Sequence, residues 1–421
     1  MTLILKNLMH KVTNLTRAGR LNEATAVIQR ALAGASSRAS PPPGAAPEAA
    51  GARPRAARQG RVFDMERASI ANAGAGLRAD GEHAPAGDAG NLEPRSRARA
   101  DRDAGRHGGA QGQAQWLAGS HAEGAETRAY KLFVPPALSG RARPLLVMLH
   151  GCTQDPDDFA AGTGMNRQAL ELDFLVLYPA QPRSANPNRC WNWFRPEHQR
   201  RGEGEPALVA SMARWVASAY GADPQRIYVA GLSAGGAMAA LLADVYPDLF
   251  AAVGVHSGLP SGAAHNAMAA LAVMGSGVAA APRNGVGKAG SANFGANSVH
   301  PPLPLIVFHG EADATVHPRN GEALVAAALR DNIKEIAEAA DGADLASPRI
   351  EQGASSPGRT FTRSVHVGRG GEVLAEHWLI HGAGHAWSGG NAAGSYTDPA
   401  GPDATREMLR FFLQHPRRGT A

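Results

Sequence analysis

A glycine-flanked serine between an apolar strand and an alanine-rich helix restricts this chain more than any other feature. The stretch RIYVAGLSAGGAMAALLADVYP, residues 226–247, passes from Ile, Tyr and Val through Gly-Leu-Ser-Ala-Gly straight into a helix-forming run. A tight turn alone would account for the glycines, with the serine as a helix N-cap. The same arrangement also sets a hydroxyl on the sharp turn at the carboxyl edge of a sheet, as a nucleophile elbow does. Both readings require a strand that feeds directly into a helix, and the rest of the chain decides between them.

From about residue 126 to 415 the texture repeats that unit. AYKLFVP, PLLVMLH, FLVLYP, AAVGVHSG, PLIVFHG and EHWLIHG are short apolar runs bounded by turn residues. Helical stretches such as EPALVASMARWVASAYG and NGEALVAAALRDNIKEIAEAA lie between them. Strands alternating with helices predict an α/β domain, a mostly parallel sheet covered on both faces. Within it, residues 259–300 are Gly/Ala/Asn-rich without a clear period and are expected to form a flexible insertion. Residues 416–421 read as a tail.

The first part of the chain reads differently. Residues 1–34 carry an apolar stripe at helical spacing, so an amphipathic helix is expected. Docking on its own domain, contact with a granule or lipid surface, and a weakly ordered extension all fit that stripe. Residues 35–125 are Ala, Gly, Pro and Arg with almost no β-branched or aromatic side chains. Such a segment cannot bury enough apolar area to offset its ordering entropy, and it is expected to be a disordered linker. The formal net charge is +5, but the arginines are dispersed and the linker's are balanced by acids, so no nucleic-acid partner is expected. No apolar run is long enough for a membrane span. The leading helix lacks the continuous apolar region of a signal peptide.

A serine nucleophile needs a general base, and the base needs an orienting carboxylate. After Ser233 the chain supplies Asp313, just past PLIVFHG, and His385, just past EHWLIHG. Serine, acid and histidine thus stand in that order at equivalent strand ends, which is the α/β-hydrolase order. Glu311 shares the loop of Asp313 but is worse placed to reach inward. His377, His381 and His385 recur every four residues as a helical metal site would, yet WLI and Gly-Ala-Gly between them indicate strand and loop, so no metal is expected. His309 and His317 are read as structural or lining residues. The developing oxyanion needs two donors, and the amides of Ala234 and of Cys152, in PLLVMLHGCTQ, are the candidates.

The chain has two cysteines. A Cys152–Cys190 disulfide would pin the oxyanion loop to the CWNWF loop and add about 4 kcal/mol by loop-closure entropy; two buried free thiols are the alternative. Aromatic residues make up 5% of the chain, so the concentration of Trp191, Trp193, Phe194 and Trp387 near the candidate triad stands out. They fit a wall for an aliphatic or aromatic acyl group, or equally a cap on the sheet edge.

LHGCTQDPDDFA, YPAQ, NRCWNWF, GLSAGGAMA, HGEADATVHPRNG and GAGHAWSGG together resemble the poly(3-hydroxybutyrate) depolymerase family of esterases, whose relatives include feruloyl and acetyl-xylan esterases. The resemblance spans about residues 127–415. It implies an α/β-hydrolase fold, ester hydrolysis without a cofactor, and catalytic roles for Ser233, Asp313 and His385. The implied substrate is a hydroxyalkanoate polyester or oligomer, with feruloyl or acetyl-xylan esters as the alternative. A hydrolase-fold binding protein that has lost catalysis is the alternative of another class, and the presence of all three residues speaks against it. Family members are often secreted. Here no signal peptide and no polymer-binding domain after residue 415 can be recognised, so the resemblance favours an extracellular location and the amino terminus a cytoplasmic one.

Overall fold

In a computed structural model, the structure describes residues 113–136, 141–278, 303–329, 347–356 and 358–417. The strands in chain order are Gln115–Glu123 (β1), Glu126–Val134 (β2), Arg143–Leu149 (β3), Leu175–Pro179 (β4), Ala222–Leu232 (β5), Ala252–His256 (β6), Leu305–Gly310 (β7), Arg349–Ala354 (β8), Thr360–Val367 (β9) and Val373–Ile380 (β10). They form one sheet in the order β1-β2-β4-β3-β5-β6-β7-β10-β9-β8. Every pairing from β4 across to β10 is parallel. Antiparallel strands close both edges, β1 and β2 on one side, β9 and β8 on the other. A separate two-stranded ribbon joins Trp387–Ser388 (β11) to Thr397–Asp398 (β12).

Burial on both faces explains why the central strands read as continuous apolar runs. Along β3, Leu145, Val147 and Leu149 point into one apolar cluster, while Leu146 and Met148 point into the other. The period of two repeats in β5 and β7. Helices cover each face. Pro156–Thr163 (α1), Met165–Leu172 (α2) and Ala404–Gln414 (α7) pack into the second cluster. Gly204–Ala219 (α3), Ala234–Val245 (α4), Ala267–Ser276 (α5) and Arg319–Ala328 (α6) pack into the first. This is the α/β-hydrolase arrangement. The connection out of β3 leads to β4 on one side, and the next strand, β5, pairs with β3 on the other. Such a reversal opens a crevice at the carboxyl ends of β3 and β5, where ligands bind in open α/β sheets.

Two expectations change at this level. β1 lies inside the stretch read as linker up to residue 125. Its inward and outward positions alternate in burial, but its Gly, Ser, His and Glu content hid the strand from a reading based on apolar runs. Residues 259–300 read as a flexible insertion without a clear period, yet α5 spans Ala267–Ser276, capped by the Asn266 side chain on Ala269 N–H. Alanines carry no period that distinguishes an inner from an outer face, which is why the helix was missed. The expected helix over residues 1–34 and most of the linker lie outside the described residues. Among the described residues no helix is long and apolar enough to cross a membrane.

Candidate active site

Ser233 sits at the end of β5 with φ 59 and ψ −120, a backbone conformation that costs a non-glycine residue about 1–3 kcal/mol. Neighbouring elements hold it there. Its N–H donates to the His256 carbonyl at 2.9 Å, and its own carbonyl accepts from Ala237 in the first turn of α4, also at 2.9 Å. The flanking glycines are needed for the approach of backbone to backbone. A Cβ on Gly235 would run into the Leu149 carbonyl, and one on Gly231 would meet that oxygen at 2.7 Å. The elbow is therefore wedged against the end of β3.

Six non-glycine residues among those described have positive φ: Thr153, Asp173, Arg189, Ser233, Ser257 and Tyr396. Asp173 caps α2. The other five belong to the Ser233 elbow or to loops bonded around it. Strain gathered at one sheet edge marks a place where geometry is maintained against local preference.

Asp313 and His385 meet at the same edge. His385 Nδ1 lies 2.7 Å from Asp313 Oδ2, so that nitrogen carries the proton and Nε2 keeps a lone pair. The second carboxylate oxygen of Asp313 accepts the N–H groups of Thr315 and Val316, each at 2.9 Å. Burial pushes the Asp313 carboxyl up, but the hydrogen bond and charge of His385, the Val316 amide and His309 outweigh it and hold the group below its ordinary value. Glu311 turns away, accepting the Gly382 N–H at 3.2 Å and facing His381 at 3.4 Å. His309 donates to the Val316 carbonyl at 2.8 Å, bracing the Asp313 turn.

No hydrogen bond joins the Ser233 hydroxyl to His385 among the described contacts. That bond commonly tightens only when substrate arrives. What links the two is His256, which no sequence motif marks. Its carbonyl holds the Ser233 N–H, and its Nε2 accepts the Ser388 N–H at 2.9 Å, close behind His385. Burial brings its pKa down to about 3, with His309 and His385 adding to the effect, so it stays neutral with the proton on Nδ1 facing Ser257.

The turn after β3 carries Cys152. A disulfide ties it to Cys190, and the next amide, Thr153 N–H, donates to the Asn188 carbonyl at 2.6 Å. Gly151 N–H donates to Gln154 Oε1 at 2.9 Å. His150 bonds the Gly151 carbonyl at 2.8 Å and accepts the Gln181 N–H at 3.2 Å. The loop bearing Cys190 is gripped in turn by buried Glu205, whose carboxylate accepts the Asn192 N–H at 2.8 Å, Asn192 Nδ2 at 2.7 Å and Gln181 Nε2 at 2.5 Å. From sequence Glu205 reads only as an acid in the first turn of a helix. The amides of Cys152 and Ala234 make no hydrogen bond among the described turn and cap contacts, which leaves both able to receive an external oxygen.

The tryptophans are placed otherwise than expected for a substrate wall. Trp191 is 0% exposed, against His150, and Trp387 is 1% exposed, stacked on His256 and donating to Thr405 Oγ1 at 3.0 Å. Trp193 is also buried, edge-on to Phe194, and only Phe194 reaches the surface in part. An indole buried on all sides supports the loops rather than meeting a ligand from solvent. No group of His, Cys, Asp and Glu among the described residues could hold a metal ion.

A family model described as esterase PHB depolymerase matches residues 128–349, which contain Ser233 and Asp313 and end before His385. A poly(3-hydroxyalkanoate) depolymerase C of Paucimonas lemoignei is 32% identical over 252 residues, 60% of this chain and 56% of that protein. A probable acetylxylan esterase A of Aspergillus fumigatus is 29% identical over 195 residues, 45% of this chain and 51% of that one. This chain thus spans about half the length of the curated relatives it matches. The solved acetyl xylan esterase from Aspergillus awamori superposes over 72% of this chain and 100% of its own, with a TM-score of 0.52 and 19% identity, a likeness of fold.

Proposed function

The chain belongs to the esterase PHB depolymerase family, and from that premise we propose that it is a serine esterase working through a covalent acyl-enzyme. The observation that carries the reading is the Asp313–His385 bond, set at the same sheet edge as a strained, glycine-wedged serine. Ser233 Oγ attacks the ester carbonyl while its proton passes to His385 Nε2. The oxyanion accepts hydrogen bonds from the Cys152 and Ala234 amides. Collapse of that intermediate expels the alcohol, which takes the proton from His385. Water, deprotonated by the same nitrogen, then releases the acid and restores the serine. Asp313 keeps the imidazole in the tautomer that can accept the proton and stabilises it once charged. No cofactor enters the cycle.

Poly(3-hydroxyalkanoate) polymer or its oligomers are the favoured substrate, on the strength of the family and of the depolymerase relative. Acetylated xylan is the second reading, favoured by an acetylxylan esterase among the relatives. A panel of hydroxybutyrate oligomers, acetylated xylan, methyl ferulate and p-nitrophenyl esters of graded length separates these. The favoured reading expects the highest kcat/KM on the hydroxybutyrate oligomers. Preference for acetylated xylan would transfer the assignment, and inactivity on every ester would remove it.

A further inference from the structure

Tyr396 combines properties that a surface loop residue seldom has together. It is 40% exposed, holds φ at 52, and bonds with its two polar ends to two different sides of the site. Its carbonyl accepts the Trp387 N–H at 2.7 Å, just past His385. Its phenol oxygen lies 3.1 Å from Thr153 Oγ1, in the residue after Cys152. Thr153 is itself at φ 67, which a β-branched side chain rarely tolerates.

The direction of these bonds follows from proton count. The Thr153 hydroxyl donates to the Cys152 carbonyl at 2.6 Å, and a hydroxyl has only one hydrogen, so Tyr396 is the donor to Thr153. A chain therefore runs from Tyr396 O–H to Thr153 Oγ1, and from Thr153 O–H to the Cys152 carbonyl. It ends on the residue whose N–H is read above as an oxyanion donor. The neighbouring Ser395 grips the base of the same turn, accepting Gln154 Nε2 at its carbonyl at 3.1 Å and donating its hydroxyl to Asp158 at 2.5 Å. Hydroxyls at an exposed contact compete with water and add little to folding stability. Yet two left-handed backbones are maintained at this one.

We propose that Tyr396 is a positioning residue of the oxyanion turn. Acting through Thr153, it ties that turn to the segment following His385, so that the Cys152 amide and the general base keep one spacing. The proposal rests on the serine-esterase reading and goes beyond it by assigning a residue outside the triad and the oxyanion donors.

The test compares wild type with Tyr396→Phe, Thr153→Ala, Thr153→Ser and the Tyr396→Phe/Thr153→Ala double variant. Turnover of p-nitrophenyl butyrate is measured beside affinity for an aryl trifluoromethyl ketone, which forms an oxyanionic adduct with an active serine. Tyr396→Phe is expected to lower kcat about fivefold to tenfold, as loss of one hydrogen bond does, and to weaken the ketone by a similar factor. KM and melting temperature should hardly move. The double variant should be no worse than the worse single one, because both remove the same chain, and Thr153→Ser should keep near wild-type turnover. Wild-type kcat and ketone affinity in Tyr396→Phe would overturn the proposal, as would a loss confined to KM or to thermal stability. Absence of turnover and ketone binding in the wild-type protein would instead remove the esterase reading, and the tether with it.

Discussion

At the scale of single residues, the difference between Asp313 and Glu311 shows what the loop after β7 decides. Both acids follow the same strand, but only Asp313 has its carboxylate buried, with one oxygen on two amides and the other on His385. Asp313→Asn keeps the shape and loses the charge, so kcat should fall on the order of 10³–10⁴-fold, as when an orienting acid is neutralised and the wrong tautomer is favoured. Glu311→Gln touches an exposed contact and should stay within about threefold. Initial rates on p-nitrophenyl butyrate decide, and a damaging Glu311→Gln beside a mild Asp313→Asn would reverse the assignment. Ser233, Asp313 and His385 can be proposed from sequence because residue type, chain order and strand ends all converge on them, and the structure brings Asp313 and His385 into contact. His256 cannot. Its contribution is made by a backbone carbonyl and a ring nitrogen that accepts an amide, and no spacing in the sequence announces either.

At the scale of elements, the sheet was readable because β3, β5, β6 and β7 are apolar on both faces, and α3 and α4 carry helix formers between them. The loops were legible as positions but not as structures. CWNWF was expected over the strand ends, and Cys190 does join Cys152 there, but Glu205 and Gln181 draw Trp191 and Trp193 inward as supports. Buried networks of this kind join residues distant in sequence, here amides gathered on the Glu205 carboxylate, and periodicity carries no trace of them. Because the disulfide holds the turn bearing Cys152, mild reduction should lower kcat more than KM and also lower the melting temperature. A change in stability alone, with kcat per folded molecule unaltered, would free the turn bearing Cys152 from dependence on the bond. Removing a constraint on a loop of this length is expected to cost roughly 4 kcal/mol of stability.

At the scale of the whole molecule, buried histidines set the response to acid. Burial brings His150 and His377 down to about 4 and His256 to about 3, against 6.5 for a free imidazole. In the folded state they remain neutral at pH values where the unfolded chain would protonate them. Depressed folded values mean that their contribution is complete above pH 6.5 and is lost progressively as pH falls toward 4 and then 3. His309 is also lowered by burial and adds to the effect, so urea unfolding across this range should show stability declining from near pH 6.5, with net uptake of protons on unfolding near pH 5. Asp313 and Glu205, both held below the ordinary carboxylate range, act in the same direction at lower pH. Stability flat down to pH 4.5 would mean that these rings meet water. The central claim, that this fold presents Ser233 as a nucleophile, is tested most directly by intact mass after exposure to a fluorophosphonate. One adduct per chain in the wild type and none in Ser233→Ala is the predicted result, and an adduct that persists in Ser233→Ala would contradict it.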